Sequence, residues 1–382
     1  MILVRLVKVF SSLRLTVILL GLGLILVFWG TLAQVHLGLY KAQNEFFRSF
    51  FVFWQPAGSN FRIPIFPGGY LIGGLLIINL FSAHFRYYQP GKKKIGIMLI
   101  HLGIVLLLFG QLLTDFLAKE SSMHLRNGET KNYSESDRSF ELVITDTSDT
   151  SADKVVAVSG HRLAKLGDIA VPDLPFSVSV KRYYPNSSLV QQAEAGYEQV
   201  KATAGVGADI WWKELPHETV MERRDMPSGL VELVGPKGSL GTYIVSAFLN
   251  RPQQVVFEGK RYEMTIRLER YYKPFSLKLL EFRHDKYPGT EIPKNFSSRV
   301  RLINPGDSED REVLIRMNTP LRYKGETYYQ ASFDKDDQGS ILQVVRNPGW
   351  LTPYLACIMV GAGLTIQFLS HLLGFATRRR KK

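Results

Sequence analysis

The sequence predicts a membrane protein with four transmembrane helices, three N-terminal and one C-terminal, plus a large, mainly antiparallel β extracytoplasmic domain. Three observations predict it. Four stretches, Leu15–Tyr40, Ile63–Phe85, Ile95–Thr114 and Asn347–Thr377, carry almost no charge, and each can supply the roughly 20 apolar residues of a spanning helix. The long polar stretch between the third and the fourth is written in the two-residue alternation of strands. The basic residues cluster at one set of ends of the apolar stretches.

The net charge of +13 suggests a nucleic-acid partner, but its distribution excludes that class. Phe116 to Gly349 hold 32 Lys/Arg and 32 Asp/Glu, so the large soluble part is neutral. The other 15 basic and 2 acidic residues carry the whole excess, in the tails and short loops of the membrane part. Twelve of those basic residues fall on one side: Arg5, Lys8 and Arg14, then Arg86 and Lys92–Lys94, then Arg378–Lys382. Only Lys41, Arg48 and Arg62 fall in the opposite loop. The positive-inside rule therefore puts both termini in the cytoplasm and the large domain outside.

The predicted organisation is a membrane region over 1–117, a β-rich domain over 118–348, and a last span with a basic tail over 349–382. The first three spans lie at about 15–35, 66–86 and 95–115. The first resembles a signal peptide in its basic start and apolar core. It is read as retained, because it is long, lacks a small-x-small cleavage site and precedes further spans. The loop 35–67 is rich in aromatics, FFRSFFVFW and then QPAGSNFRIPIFPGG. It suits an amphipathic segment on the bilayer surface or against a partner, and equally a segment that caps the protein's own outer domain. The turn YYQPGKKK makes spans two and three an antiparallel hairpin.

Eight segments alternate apolar and polar residues: FELVIT, FSVSVKRYY, YEMTIRLERYY, FSLKLLEF, SRVRLIN, REVLIRMN, ETYYQASF and SILQVVR. They predict one or two antiparallel sandwiches, or an open barrel, around a polar, irregular middle at 186–225 that reads as a long insertion. No HExxH, GxSxG, P-loop or GxGxxG motif occurs. The single cysteine, Cys357, is expected to be a small buried apolar residue, and it excludes both an internal disulfide and a CxxC redox pair. His124, His161, His217 and His284 are scattered through the polar part as surface or core residues. His284 is the best candidate among them, with Asp285 placed to orient a ring nitrogen.

The membrane histidines carry more. His101 lies six or seven residues into GIMLIHLGIVLLLFG, about 10 Å deep at 1.5 Å per residue. An imidazole there has lost bulk water and must find a partner. Gly96 and Gly103 allow close approach by a neighbouring helix or a flat ligand. His84 and His371 lie near the same ends of spans two and four, so three spans can bring imidazole to one leaflet. His84 and His371 also suit snorkelling or hydrogen bonding. For His101 the open readings are packing, a metal or proton relay, and axial ligation of haem iron.

Taken in order, FSSLRLTVILL…GTLAQ, the IHLGIVLLLFG span, FSLKLLEF…YPGTEIPKNFSSRVRLIN, RMNTPLRYKGETYYQASF and the NPGW-led last span resemble the ResB (CcsB) family of system II cytochrome c biogenesis. The resemblance covers the three N-terminal spans, the last part of the outer domain and span four, and does not extend to 186–225. It implies a multi-pass protein of the bacterial cytoplasmic membrane that works with a CcsA/ResC-like partner. The pair would move haem b, held transiently and shared, for covalent attachment to apocytochrome c. This chain would be a non-catalytic subunit of that synthase complex. A third-span histidine of the family is an axial haem ligand, and it maps onto His101. The chain has no tryptophan-rich haem motif, since Trp211–Trp212 are followed by Lys-Glu, so that platform would come from the partner. Two other classes compete: a cofactor-free envelope scaffold or sensory anchor, for which His101 would be unnecessary, and a transporter, disfavoured because the spans hold almost no ionisable groups besides histidine, with Asp115 at an edge.

Overall fold

A helix break at Ser11–Ser12 shapes the start of the chain. A short helix, Ile2–Phe10, precedes the first long one, Leu13–Leu37. A break frees backbone carbonyls, and in hydrocarbon each unsatisfied group costs several kcal/mol. Buried Asn79, from the second long helix, meets that cost: its Nδ2 donates to the carbonyls of Phe10 at 2.6 Å and Ser12 at 3.2 Å. Its Oδ1 accepts from Thr16 Oγ1 at 2.7 Å. The computed structural model describes residues 2–56, 61–87, 94–149, 152–220, 223–290 and 293–379; Lys92, Lys93 and 380–382 of the basic clusters fall outside them.

The chain divides into two units. One comprises Met1–Lys119, Thr219–Met221 and Arg346–Lys382, and the other Glu120–Glu218 and Glu222–Val345. Among the described residues of the first unit four helices are long and apolar enough to cross a membrane: Leu13–Leu37, Gly69–Arg86, Ile95–Leu117 and Thr352–Thr377. The four-span, β-domain architecture read from the sequence is thus the observed one.

Spans three and four pack through glycine. Gly96, Gly103 and Gly110 are buried and recur every seven residues, two helical turns, so they form one stripe. A Cβ at Gly96 would stand 2.8 Å from the Gly363 carbonyl oxygen, and one at Gly103 2.6 Å from Val360 Cγ2. The close approach expected at Gly96 and Gly103 is therefore used by a helix. Ala356 takes the buried position on span four. Cys357, one step round the helix, is exposed, contrary to the buried position expected of it.

Between spans one and two the chain runs through a short helix, Leu39–Ala42, a π turn, Gln43–Phe47, and a hairpin of Phe51–Trp54 with Ile63–Pro67. Phe46, Val52, Leu26 and Ile72 form a small core here, with Trp29 edge-on to Phe46 and Phe66. Asp115, at the end of span three, is no free intramembrane acid: it pairs with Arg48 at 2.8 Å and accepts from the Tyr70 hydroxyl at 2.5 Å.

The second unit is built on one strand of 27 residues, Lys260–Lys286, which joins two segments read separately from the sequence. It pairs antiparallel with Thr130–Asp146, Gln253–Phe257 and Pro293–Asn304 within a ten-stranded sheet. A four-stranded sheet, formed by 238–246, 228–235, 177–184 and 167–169 in that order, faces part of it. Leu142, Ile144 and Met264 from the large sheet meet Val178, Val231 and Val245 from the small one in a first core. A second core lies within the large sheet alone: Leu277, Leu279, Val300, Tyr328, Leu342 and Val344 come from strands across its width, so the sheet curls round them. The middle stretch is more ordered than its composition predicts. Strands 187–190, 198–199 and 211–214 form a small sheet whose Trp212 is 2% exposed against Val200, Leu230 and Ile244.

Candidate functional site

The glycine stripe of span three decides where His101 points. At 100° per residue His101 is turned about 200° from Gly103, away from the face committed to span four. That other face turns toward span two, whose Leu80, Phe81, His84 and Phe85 follow the one-turn spacing of a helix face. Between them lies a groove of about 720 Å³, completed by Ile95, Met98, Leu99, His101, Leu102 and Val105. Eight of the ten lining residues are apolar, and the two polar ones are both histidine. Their imidazoles meet edge to face, with ring centroids 5.1 Å apart. The His101 Nδ1 is buried and has no hydrogen-bond partner among the described residues.

An unpaired buried nitrogen costs about 1–3 kcal/mol, and a site that tolerates the cost is one where a ligand or partner completes it. The groove volume lies within the roughly 300–1,000 Å³ of small-molecule and cofactor sites. The dry walls disfavour charge and suit a large flat apolar ligand. A neutral imidazole in such walls is a donor for a transition-metal ion or haem iron. Lys94 directly precedes Ile95 of the lining in the chain. Haem, an apolar macrocycle with two carboxylates, fits this donor set.

Of the histidines singled out by the sequence, the structure brings His84 and His101 together. His371 does not line the groove. It lies exposed one turn beyond Gln367, whose Nε2 donates to its Nε2 at 2.7 Å. Gln367 Oε1 is buried and without a hydrogen-bond partner among the described residues, beside the position a Gly96 Cβ would take.

His284 belongs to the β unit. It stacks against Phe296 and Phe333, and its Nδ1 lies 3.1 Å from Asp337 Oδ1. The orienting carboxylate is thus Asp337, where the sequence suggested Asp285. The reason is the strand period: residues 284 and 285 point to opposite faces, and Asp285 accepts instead from Asn295 Nδ2 across the ladder. His124 contacts both Asp334 oxygens at 2.9 Å, and His217 pairs with Asp225 at 2.6 Å; both are surface contacts.

Sequence reading missed the apolar half of the groove, Leu80, Phe81, Phe85, Met98 and Leu102. The i−4, i−3 and i+1 spacing of the span-two members about His84 was the available signal.

Residues 233–341 match the ResB-like family. That stretch includes the long strand and both β-domain blocks on which the sequence resemblance rests, so the resemblance is borne out there. The chain is 37% identical over 91 residues to Protein NrfI of Wolinella succinogenes. The alignment covers 24% of this chain and 10% of that protein, so the chain spans about one tenth of this relative's length.

Proposed function

We propose, for a chain whose residues 233–341 match the ResB-like family, that it serves cytochrome c biogenesis by holding haem in the groove between spans two and three, with His101 as an axial ligand. The observation that carries the reading is His101 itself: a membrane imidazole on the wall of an apolar groove of cofactor size. Bound haem would supply the iron and the vinyl groups to which apocytochrome thiols become attached. The protein's own contribution is binding and exclusion. His101 coordinates, and Leu80, Phe81, Met98, Leu99 and Leu102 keep water from the ring faces. A CcsA/ResC-like partner supplies the second axial ligand and an outer haem platform. Under the positive-inside rule the groove lies toward the cytoplasmic leaflet of a bacterial inner membrane and the β unit lies outside, where it shields the attachment site or receives the apocytochrome.

The test is an absorption spectrum of the complex of the chain with its CcsA-like partner, purified in detergent. Wild type and His101→Gly are compared with and without added imidazole. A Soret band lost in the variant and restored by imidazole is the expected result. An undiminished band in His101→Gly overturns the assignment and favours a scaffold that needs no cofactor.

A further inference from the structure

His84 is the second polar group of the groove, and its geometry bears on what it can do. The His84 and His101 rings are 5.1 Å apart and edge to face, on the two spans that wall one groove.

A role follows from the requirements of a ligating imidazole. Such a ring donates its other N–H to an acceptor, which fixes the tautomer and raises the basicity of the ligating nitrogen. His101 Nδ1 is buried and has no partner among the described residues. The other nine lining residues offer only one polar side chain, His84. Rotation about χ2, a broad and soft torsion for histidine, suffices to turn an edge-to-face pair toward an N–H···N contact.

We infer that His84 is a positioning residue for His101: it accepts the N–H of the ligating imidazole, holds the ring toward the groove and tunes the iron through it. The inference rests on the haem reading above.

The test uses the same detergent-purified complex and reads haem content, spin state by electron paramagnetic resonance, and reduction potential. His84→Phe keeps the ring and removes the acceptor, whereas His84→Gln keeps an acceptor. In His84→Phe the expected result is a haem that stays low-spin with its potential shifted upward, because a less basic imidazole favours ferrous iron. His84→Gln should return the potential toward wild type. An unchanged potential in His84→Phe overturns the inference. So does loss of the low-spin signal with recovery on adding imidazole, which would make His84 an axial ligand. The His101→Gly variant, run in parallel, separates these outcomes from failure of the haem reading: if it keeps its haem, that reading falls regardless of what His84 does.

Discussion

The imidazoles of His84 and His101 meet edge to face with centroids 5.1 Å apart, seventeen positions apart in sequence and on different spans. Each would be costly alone in an apolar wall. Together they are the two polar side chains among the described residues that line the groove. Their meeting depends on the face of span three that the glycine stripe leaves free, so one sequence device, a small residue every seventh position, both docks span four and presents His101 to span two.

Filling the groove without touching either histidine should weaken haem retention. Leu102 lines it and is 55% exposed, so a larger side chain is accommodated without disturbing the helix packing. Leu102→Trp is expected to cost about 1–3 kcal/mol of haem binding by overpacking, a loss of roughly 5–150-fold in affinity. The haem-to-protein ratio after gel filtration checks this. A ratio equal to wild type would mean that haem does not occupy this groove.

The stripe makes its own prediction. At Gly103 a Cβ falls 2.6 Å from Val360 Cγ2 and 2.9 Å from the Ala356 carbonyl oxygen, and backbone cannot move aside cheaply. Gly103→Ala should destabilise the membrane unit by about 1–3 kcal/mol. Gly73 and Gly74 in span two have nothing within 4 Å of an added Cβ. There the same change should stabilise by about 0.5–1 kcal/mol, through helix propensity alone. Unfolding in detergent, followed by circular dichroism, distinguishes the two. Equal effects at Gly103 and Gly73 would remove the packing argument.

The spans and the β class were legible in the sequence because each is a property of composition and local period. His101 was legible as an anomaly, an imidazole in an apolar run. Its pairing with His84 was not, because that depends on the relative rotation of two helices, which no local pattern encodes. The hairpin 228–246 escaped detection although it supplies Val231, Leu233, Tyr243 and Val245 to the first core. Gly229, Gly235, Gly238 and Gly241 break its alternation, and the last two have a φ of +118° that only glycine readily adopts. Asp337 could not be found as the partner of His284 for a similar reason: it comes from a distant turn rather than from the next residue. The reading of 186–225 as irregular failed on Trp212, one large side chain that anchors strands too short to show a period.

A buried ion pair should dominate the stability of the second β core. Lys273 and Glu326 are 7% and 13% exposed, with Nζ and Oε1 2.5 Å apart, and the Tyr328 hydroxyl donates to the other Glu326 oxygen at 2.7 Å. Removing one member leaves a buried charge without its counterion. Glu326→Ala is therefore expected to cost about 3–5 kcal/mol. Replacing both charges, Lys273→Met with Glu326→Leu, should recover much of the loss. Denaturant unfolding of the full chain measures both. A single variant as stable as wild type would show the pair to be dispensable.

Alkaline pH should weaken the β unit through Tyr183. Burial, helped by the negative charge of Asp225, pushes its hydroxyl up to about 12 from the ordinary 10.0. The folded state then holds a proton that the unfolded state releases first, so native binding of protons exceeds unfolded binding between about pH 10 and 12. Stability from this group is intact below pH 10 and declines as pH rises through that window, by up to roughly 2 kcal/mol. Tyr183→Phe has no proton to lose. Its unfolding midpoint should fall less steeply than that of wild type between pH 10 and 12, and parallel slopes for the two proteins would place the alkaline sensitivity elsewhere, with buried Tyr328, whose hydroxyl is also shifted upward by burial, the next residue to replace.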